Sequence, residues 1–355
     1  MDREEALVER LFLATLGSLE LFGVFLGERL GLYAALADGE PCSAPELASR
    51  AGIAPRYASE WLEQQAVAGI VDVAAAGDAG TRTYRLPPEH VPVLADPEHP
   101  SYVAAFGTML VGIGGALPEV VEAYRSGAGV EYQRYGAAFR DGQAAINRPT
   151  FTREMRNWIA AMPDVATRLE ADPPARVGDF GCGAGWSTMA LARAFPKADV
   201  EGIDLDQPSI ADAWRNAAAE GMTDQLRFVI ADAAGAHGNG PYDLACMFEA
   251  LHDTPRPVEV LEAMRAALAD GGSILLADER VAHEFTAPGD EIERTMYGWS
   301  VSHCLPVAMV DQPGEPTGTV LREPTVRELA ARAGLGTVEV LPIENDFFRF
   351  YRLQV

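Results

Sequence analysis

The run Asp179-Phe180-Gly181-Cys182-Gly183-Ala184-Gly185 stands where an apolar, strand-like segment (176–180) meets a helical pattern (186–195) in this 355-residue chain. Glycines at such a junction permit a sharp turn and let a ligand come close to the backbone. Their spacing is GxGxG behind an acid, not the GxGxxG of a dinucleotide loop, and a carboxylate at Asp179 opposes a pyrophosphate. It suits the ammonium of an amino-acid moiety, directly or through water, by charge-assisted hydrogen bonding.

Two further acids end the strands that follow. Asp204 closes 200–204, where a carboxylate can accept both hydroxyls of a ribose, with Asp206 as a second candidate. Asp232 closes 227–232, where it can accept from an adenine amine while Ala233 offers backbone groups. Taken singly, each acid could be only a helix cap. Three strand ends with three acids, beside this loop, predict a site for S-adenosylmethionine (SAM). The predicted cofactor set is Asp179, Gly181, Cys182, Gly183, Gly185, Asp204, Leu205, Asp232, Ala233 and Phe248.

The strand 243–248 runs into Glu249-Ala-Leu-His252-Asp253, which brings a histidine and two acids to the same end of the sheet. Methyl transfer is an in-line displacement, so an enzyme must align the nucleophile and remove its proton. His252 is the candidate base. A strand-end histidine with Asp253 as a helix cap is the structural alternative. Adding His303 gives two histidines and one carboxylate, a set suited to a divalent or ferric ion with open positions for a bidentate 2-oxo acid. Tyr132, Tyr135, Met296 and Trp299 are candidates for an apolar substrate pocket, and Arg125 or Arg134 could meet an acidic acceptor. His90, His99, His237 and His283 stand in polar contexts without evident partners.

On these motifs, residues 176–355 resemble a class I SAM-dependent methyltransferase. The resemblance implies a Rossmann-like α/β fold with a seven-stranded, mostly parallel sheet, whose antiparallel strand at the sheet edge would be 347–353. The whole chain resembles bacterial small-molecule methyltransferases with an N-terminal winged helix, similar to plant-type O-methyltransferases that dimerise through that module. In those enzymes the base lies in a His-Asp/Asn-Trp run; His252-Asp253 matches the pair, and Thr254 replaces the Trp. The set His252, Asp253 and His303 resembles that of metal-assisted C-methyltransferases acting on 2-oxo acids. Metal-independent O-methylation is the alternative, followed by N- or S-methylation, and a small-molecule acceptor of secondary metabolism is implied.

The elements that must position these residues are legible as pattern. Residues 4–37 carry apolar residues at helical spacing on an unusually wide face, which predicts packing on a second copy. Ser43 to Gly52 reads as a capped helix and 54–69 as a second, and 70–73 with 83–86 read as a wing. The predicted organisation is a winged-helix dimerisation domain (1–95), a helical connector (96–170) and a catalytic domain (171–355) with an insert at 280–324. From 176 onward strands and helices alternate, as a parallel sheet covered on both faces requires.

Lys and Arg number 28 against 52 Asp and Glu, a formal charge of -24, which repels polyanions. In the presumed recognition helix Arg56 stands against Glu60 and Glu63, so a DNA-binding regulator is disfavoured, as is a SAM-binding protein without methylating activity. Four cysteines without metal-knuckle spacing predict reduced thiols and a cytoplasmic protein. Glu20, Glu28 and Arg29 interrupt the apolar stretch 11–36, and the first residues lack a basic leader, so neither membrane span nor export signal is expected.

Overall fold

The computed structural model describes residues 2–235 and 240–355, which divide into two compact units, 1–114 with 137–149 and 115–136 with 150–355. In the first unit, Asp2 and Glu5 form a capping box that opens α1 (Arg3–Arg29), and α2 (Leu32–Leu36) follows. After β1 (Cys42–Ser43), the capping box of Ser43 and Glu46 starts α3 (Ala44–Ala51), which Gly52 ends in the left-handed conformation. Next come α4 (Pro55–Val67) and the wing strands β2 (Asp72–Ala75) and β3 (Thr83–Arg85), in sheet order β1-β3-β2. Leu32, Tyr33, Leu36, Leu47, Leu62 and Tyr84 fill this unit's core.

Most of α1 stays uncovered, since Val24 and Gly27 are its buried residues and Leu11, Phe12, Leu16 and Leu19 are exposed. Its C-terminal part is anchored: Trp61 donates to the Gly23 carbonyl at 2.9 Å, and Tyr102 and Thr108 donate to the Glu28 carboxylate. Both α1 and the later helix Ala105–Ser126 are long and apolar enough to cross a membrane, by length and composition only.

The short helix α5 (Val91–Leu94) precedes two long helices, α6 (Ala105–Ser126) and α7 (Gly136–Ala160), which contribute residues to both units. The second unit continues with α8 (Pro163–Glu170), β4 (Arg176–Phe180), α9 (Trp186–Ala194), β5 (Asp199–Asp204), α10 (Gln207–Ala219), β6 (Leu226–Ile230) and β7 (Tyr242–Phe248). Beyond these lie α11 (Pro257–Ala266), β8 (Leu268–Glu279), α12 (Glu291–Trp299), α13 (Leu305–Ala308), α14 (Glu323–Arg332), β9 (Thr337–Val340) and β10 (Phe348–Gln354). The sheet order is β6-β5-β4-β7-β8-β10-β9.

The pairs among β4, β5, β6, β7 and β8 are parallel, and β10 runs antiparallel to both neighbours. This corrects one expectation: the antiparallel strand lies second from the edge, and β9 is the edge. Burial explains the order. Phe348, Phe350, Tyr351 and Leu353 are buried, so both faces of β10 are covered, whereas β9 is short and mostly exposed, as an edge strand must be.

Gly202 sits in the middle of β5, where an added Cβ would meet the Phe228 ring at 2.7 Å and the Thr188 hydroxyl at 2.8 Å. Gly202→Ala should therefore destabilise the fold by about 1–3 kcal/mol through overpacking. A lowered urea midpoint at unchanged m-value would verify this; an unchanged midpoint would contradict it.

Candidate active site

The glycine loop is built by backbone conformations that other residues resist. Gly181, Gly183 and Gly185 have φ of 72°, 51° and 81°, all in the left-handed region. The turn is pinned below by the Gly181 and Cys182 amides, which donate to the Ile203 carbonyl at 2.8 and 3.1 Å. A Cβ on Gly183 would meet nothing within 4 Å, so the loop's crest is an open cradle.

Asp179 lies beneath that crest, 1% exposed. One carboxylate oxygen accepts from Ser187 and Thr188, each at 2.6 Å, while Oδ1 has no hydrogen-bond partner among the described residues. Burial pushes its pKa up to about 6, against the pull of the two hydroxyls. Asp204 accepts from the Gly183 and Asp206 amides, both at 2.8 Å, and burial raises it to about 6 as well. A carboxylate has about four acceptor sites, so acceptor capacity remains for a ligand hydroxyl. Asp232 accepts from the Ala234 amide at 2.9 Å and pairs with Arg256 at 3.0 Å, while Leu205 is exposed beside Asp204. The orphaned Asp179 oxygen, the open cradle and the spare acceptors of Asp204 fit an amino-acid nucleoside such as SAM. Phe248 ends β7 with its ring against Phe151 and Trp158, at 5.6 and 6.0 Å between centroids.

Immediately after Phe248, Glu249 has φ 50°, the one non-glycine among the described residues with positive φ. This strained residue precedes a single 3₁₀ turn, 251–253, that carries His252 and Asp253. His252 is 3% exposed. Its Nδ1 bonds the Asp278 carboxylate at 2.8 Å, and its Nε2 lies 3.4 Å from Asp253 Oδ1 without hydrogen-bond geometry. Burial alone pushes the imidazole down, but the carboxylates of Asp278 and Asp253, with hydrogen bonds that the ring makes to Asp278 and Cys304, outweigh it and hold His252 well above its ordinary range. Burial and the nearby Glu249 carboxylate push Glu279 well above the usual carboxylate range.

His303 and Cys304 lie in a π-helical turn, 300–304, between α12 and α13. His303 is buried, packed edge-on against Tyr135 at 4.4 Å and Tyr132 at 5.8 Å between ring centroids. Burial lowers it to about 4, so its imidazole is neutral. Its Nδ1 is 3.4 Å from Cys304 Sγ. The donor atoms of His252, Asp253 and Cys304 all lie within 4.8 Å of one another. Of the predicted metal set, the structure thus clusters His252 with Asp253, while His303 lies beside Cys304 and outside that group, near enough to feel the charges of His252 and Asp253.

Met296 is buried in α12 and Trp299 half-buried at its end. The two arginines suggested for an acidic acceptor are engaged elsewhere: Arg134 forks onto Glu119 and Arg125 pairs with Glu122. His90 bonds the Ile70 carbonyl, His99 accepts from the Ser101 amide, His283 lies 3.9 Å from Glu323, and His237 is outside the described residues. Sequence reasoning missed Asp278 and Cys304. Asp278 ends a buried strand as the other acids do, which was a usable signal; Cys304 had only its adjacency to His303.

Residues 177–272 match the model of a methyltransferase domain, and residues 18–96 match an Rv2258c-like winged HTH domain. Over 144 residues the chain is 31% identical to trans-aconitate 2-methyltransferase of Streptomyces avermitilis, covering 41% of this chain and 51% of that protein. The chain spans about half the length of the curated relatives it matches. Among solved structures, the mitomycin 7-O-methyltransferase MmcR superposes with a TM-score of 0.71 at 17% identity, covering 99% of this chain and 98% of that one. Human N-acetylserotonin methyltransferase, in complex with SAM, gives 0.70 at 16% identity over 100% and 98%. This chain therefore carries a methyltransferase domain behind an N-terminal winged helix-turn-helix domain, on a fold shared along its length with known O-methyltransferases.

Proposed function

We propose that this protein is a SAM-dependent methyltransferase acting on a small-molecule acceptor, with His252 handling the acceptor's proton. The observation that carries the reading is the buried His252–Asp278 pair, which fixes the imidazole by Nδ1 and leaves Nε2 towards Asp253. SAM supplies the electrophilic methyl group. Asp179 and the glycine loop would hold its amino-acid end, Asp204 its ribose, and Asp232 with Ala233 its adenine. Tyr132, Tyr135, Met296 and Trp299 would line the acceptor's side.

In the simplest form His252 takes the proton of a hydroxyl acceptor as general base. A second reading is favoured by the cluster of donors at His252 and Asp253: a divalent or ferric ion held there would acidify a bidentate 2-oxo acid for C-methylation. Turnover should then disappear in chelator-treated protein and return with divalent metal, scored as S-adenosylhomocysteine release over phenols, 2-oxo acids, amines and thiols. Chelator-insensitive turnover leaves the base form.

Either form needs His252 unprotonated. Because its pKa is raised, kcat/KM should climb with pH along a limb lying above the roughly 6.5 of free imidazole. His252→Ala should remove that limb and lower turnover about 10²–10⁴-fold; full retained turnover would take His252 out of the chemistry. Asp204→Ala should weaken SAM binding roughly 10–100-fold in calorimetry, the loss of hydrogen bonds to a charged acceptor. Unchanged affinity would remove Asp204 from the ribose site.

We further infer a cytoplasmic homodimer joined through the uncovered apolar face of α1. Nucleic acid is no part of this reading, because Arg56 is paired with Glu60 and Arg82 with Glu63 at α4. Analytical ultracentrifugation at micromolar concentration should give a dimer, and Leu11→Glu with Leu19→Glu should convert it to monomer; a monomeric parent protein overturns the assignment.

A further inference from the structure

We infer that Cys304 is a ligand of the metal ion at His252 and Asp253, making the centre a His/Asp/Cys site suited to zinc, with His303 supporting the sulfur from outside. This rests on the metal-assisted reading above and names its third ligand. Three observations carry it. The donors of His252, Asp253 and Cys304 form one group within 4.8 Å, and His303 is not among them. Bond lengths of about 2.0–2.3 Å set tetrahedral donor separations of roughly 3.3–3.7 Å, so the widest pair would draw in by up to about an ångström. Asp253 Oδ1 is buried without a hydrogen-bond partner among the described residues, although it faces His252 Nε2.

The surroundings are those of a ligand set. His252 donates Nδ1–H to a fully buried carboxylate, Asp278, which fixes the tautomer presenting Nε2 and raises its basicity as a ligand. His303, held by the edges of Tyr135 and Tyr132, has Nδ1 at 3.4 Å from Sγ, where a neutral imidazole can donate N–H to a thiolate. Charge balances as well. One carboxylate and one thiolate neutralise a divalent ion within its own ligand set, and the thiol proton leaves to solvent as the ion binds. Thiolate ligation selects zinc-like ions over magnesium or calcium.

Full-length protein stripped with chelator and titrated with Co²⁺ tests this. The expected result is one equivalent bound with the intense near-ultraviolet thiolate-to-cobalt charge-transfer band. Cys304→Ser should lose that band and weaken zinc binding by more than 100-fold, while His303→Phe should keep the band and weaken zinc about 10–100-fold. Zinc-edge X-ray absorption of the unaltered protein, independent of how variants fold, should show one sulfur at about 2.3 Å. Metal bound through nitrogen and oxygen alone overturns the assignment of Cys304 and leaves the metal reading standing. No binding of either ion by unaltered protein overturns both.

Discussion

A buried imidazole between carboxylates is the constraint around which the catalytic unit is arranged. Asp278, Asp253 and the strand-end pair Glu249 and Glu279 crowd around the buried His252, and like charges so placed are costly without a proton or a cation among them. A proton on His252 is one solution, and a bound metal ion is another. The elements that create this situation are the ends of β7 and β8, adjacent parallel strands that bring Glu249 with the histidine turn, and Asp278 with Glu279, to a single edge. Their register, Phe248 opposite Ala277, sets Asp278 beside the turn that carries His252.

The cofactor side follows the same logic with different charge. Strands β4, β5 and β6 end in Asp179, Asp204 and the turn before Asp232, and the glycine loop lets the backbone bend over the first of them. Asp179 is expensive to bury, and Ser187 and Thr188 on the first turn of α9 offset part of that cost. Its other oxygen, Oδ1, is buried without a hydrogen-bond partner among the described residues. Strain at Glu249 and the three left-handed glycines of the loop both lie at the carboxyl edge of the sheet, where open α/β folds bind ligands.

The first unit is organised by a different imbalance, between a long apolar helix and too little core to cover it. Gly23, Gly27 and Glu28 fasten the C-terminal part of α1 to Trp61, Tyr33, Tyr102 and Thr108, while the apolar residues before them stay exposed. That surface is the one proposed to be covered by a second copy. At α4, Glu60 pairs with Arg56 of the same helix and Glu63 with Arg82, just before β3.

Local pattern was enough for most of this architecture. Strand and helix periods, the Ser43–Glu46 capping box and the GxGxG spacing are properties of short segments, so the order of elements from β4 to β8 and the positions of Asp179, Asp204 and Asp232 could be read directly. So could His252 with Asp253, because neighbours in sequence stay neighbours in space. What sequence alone left open depends on contacts distant in the chain. Asp278 meets His252 across 26 positions through β7–β8 pairing, and Cys304 reaches the same histidine from a π-helical turn within the insert. The place of β10 inside the sheet was likewise decided by burial of both its faces. Period and composition report which face a residue prefers, whereas only packing of the assembled chain decides which other side chain waits there.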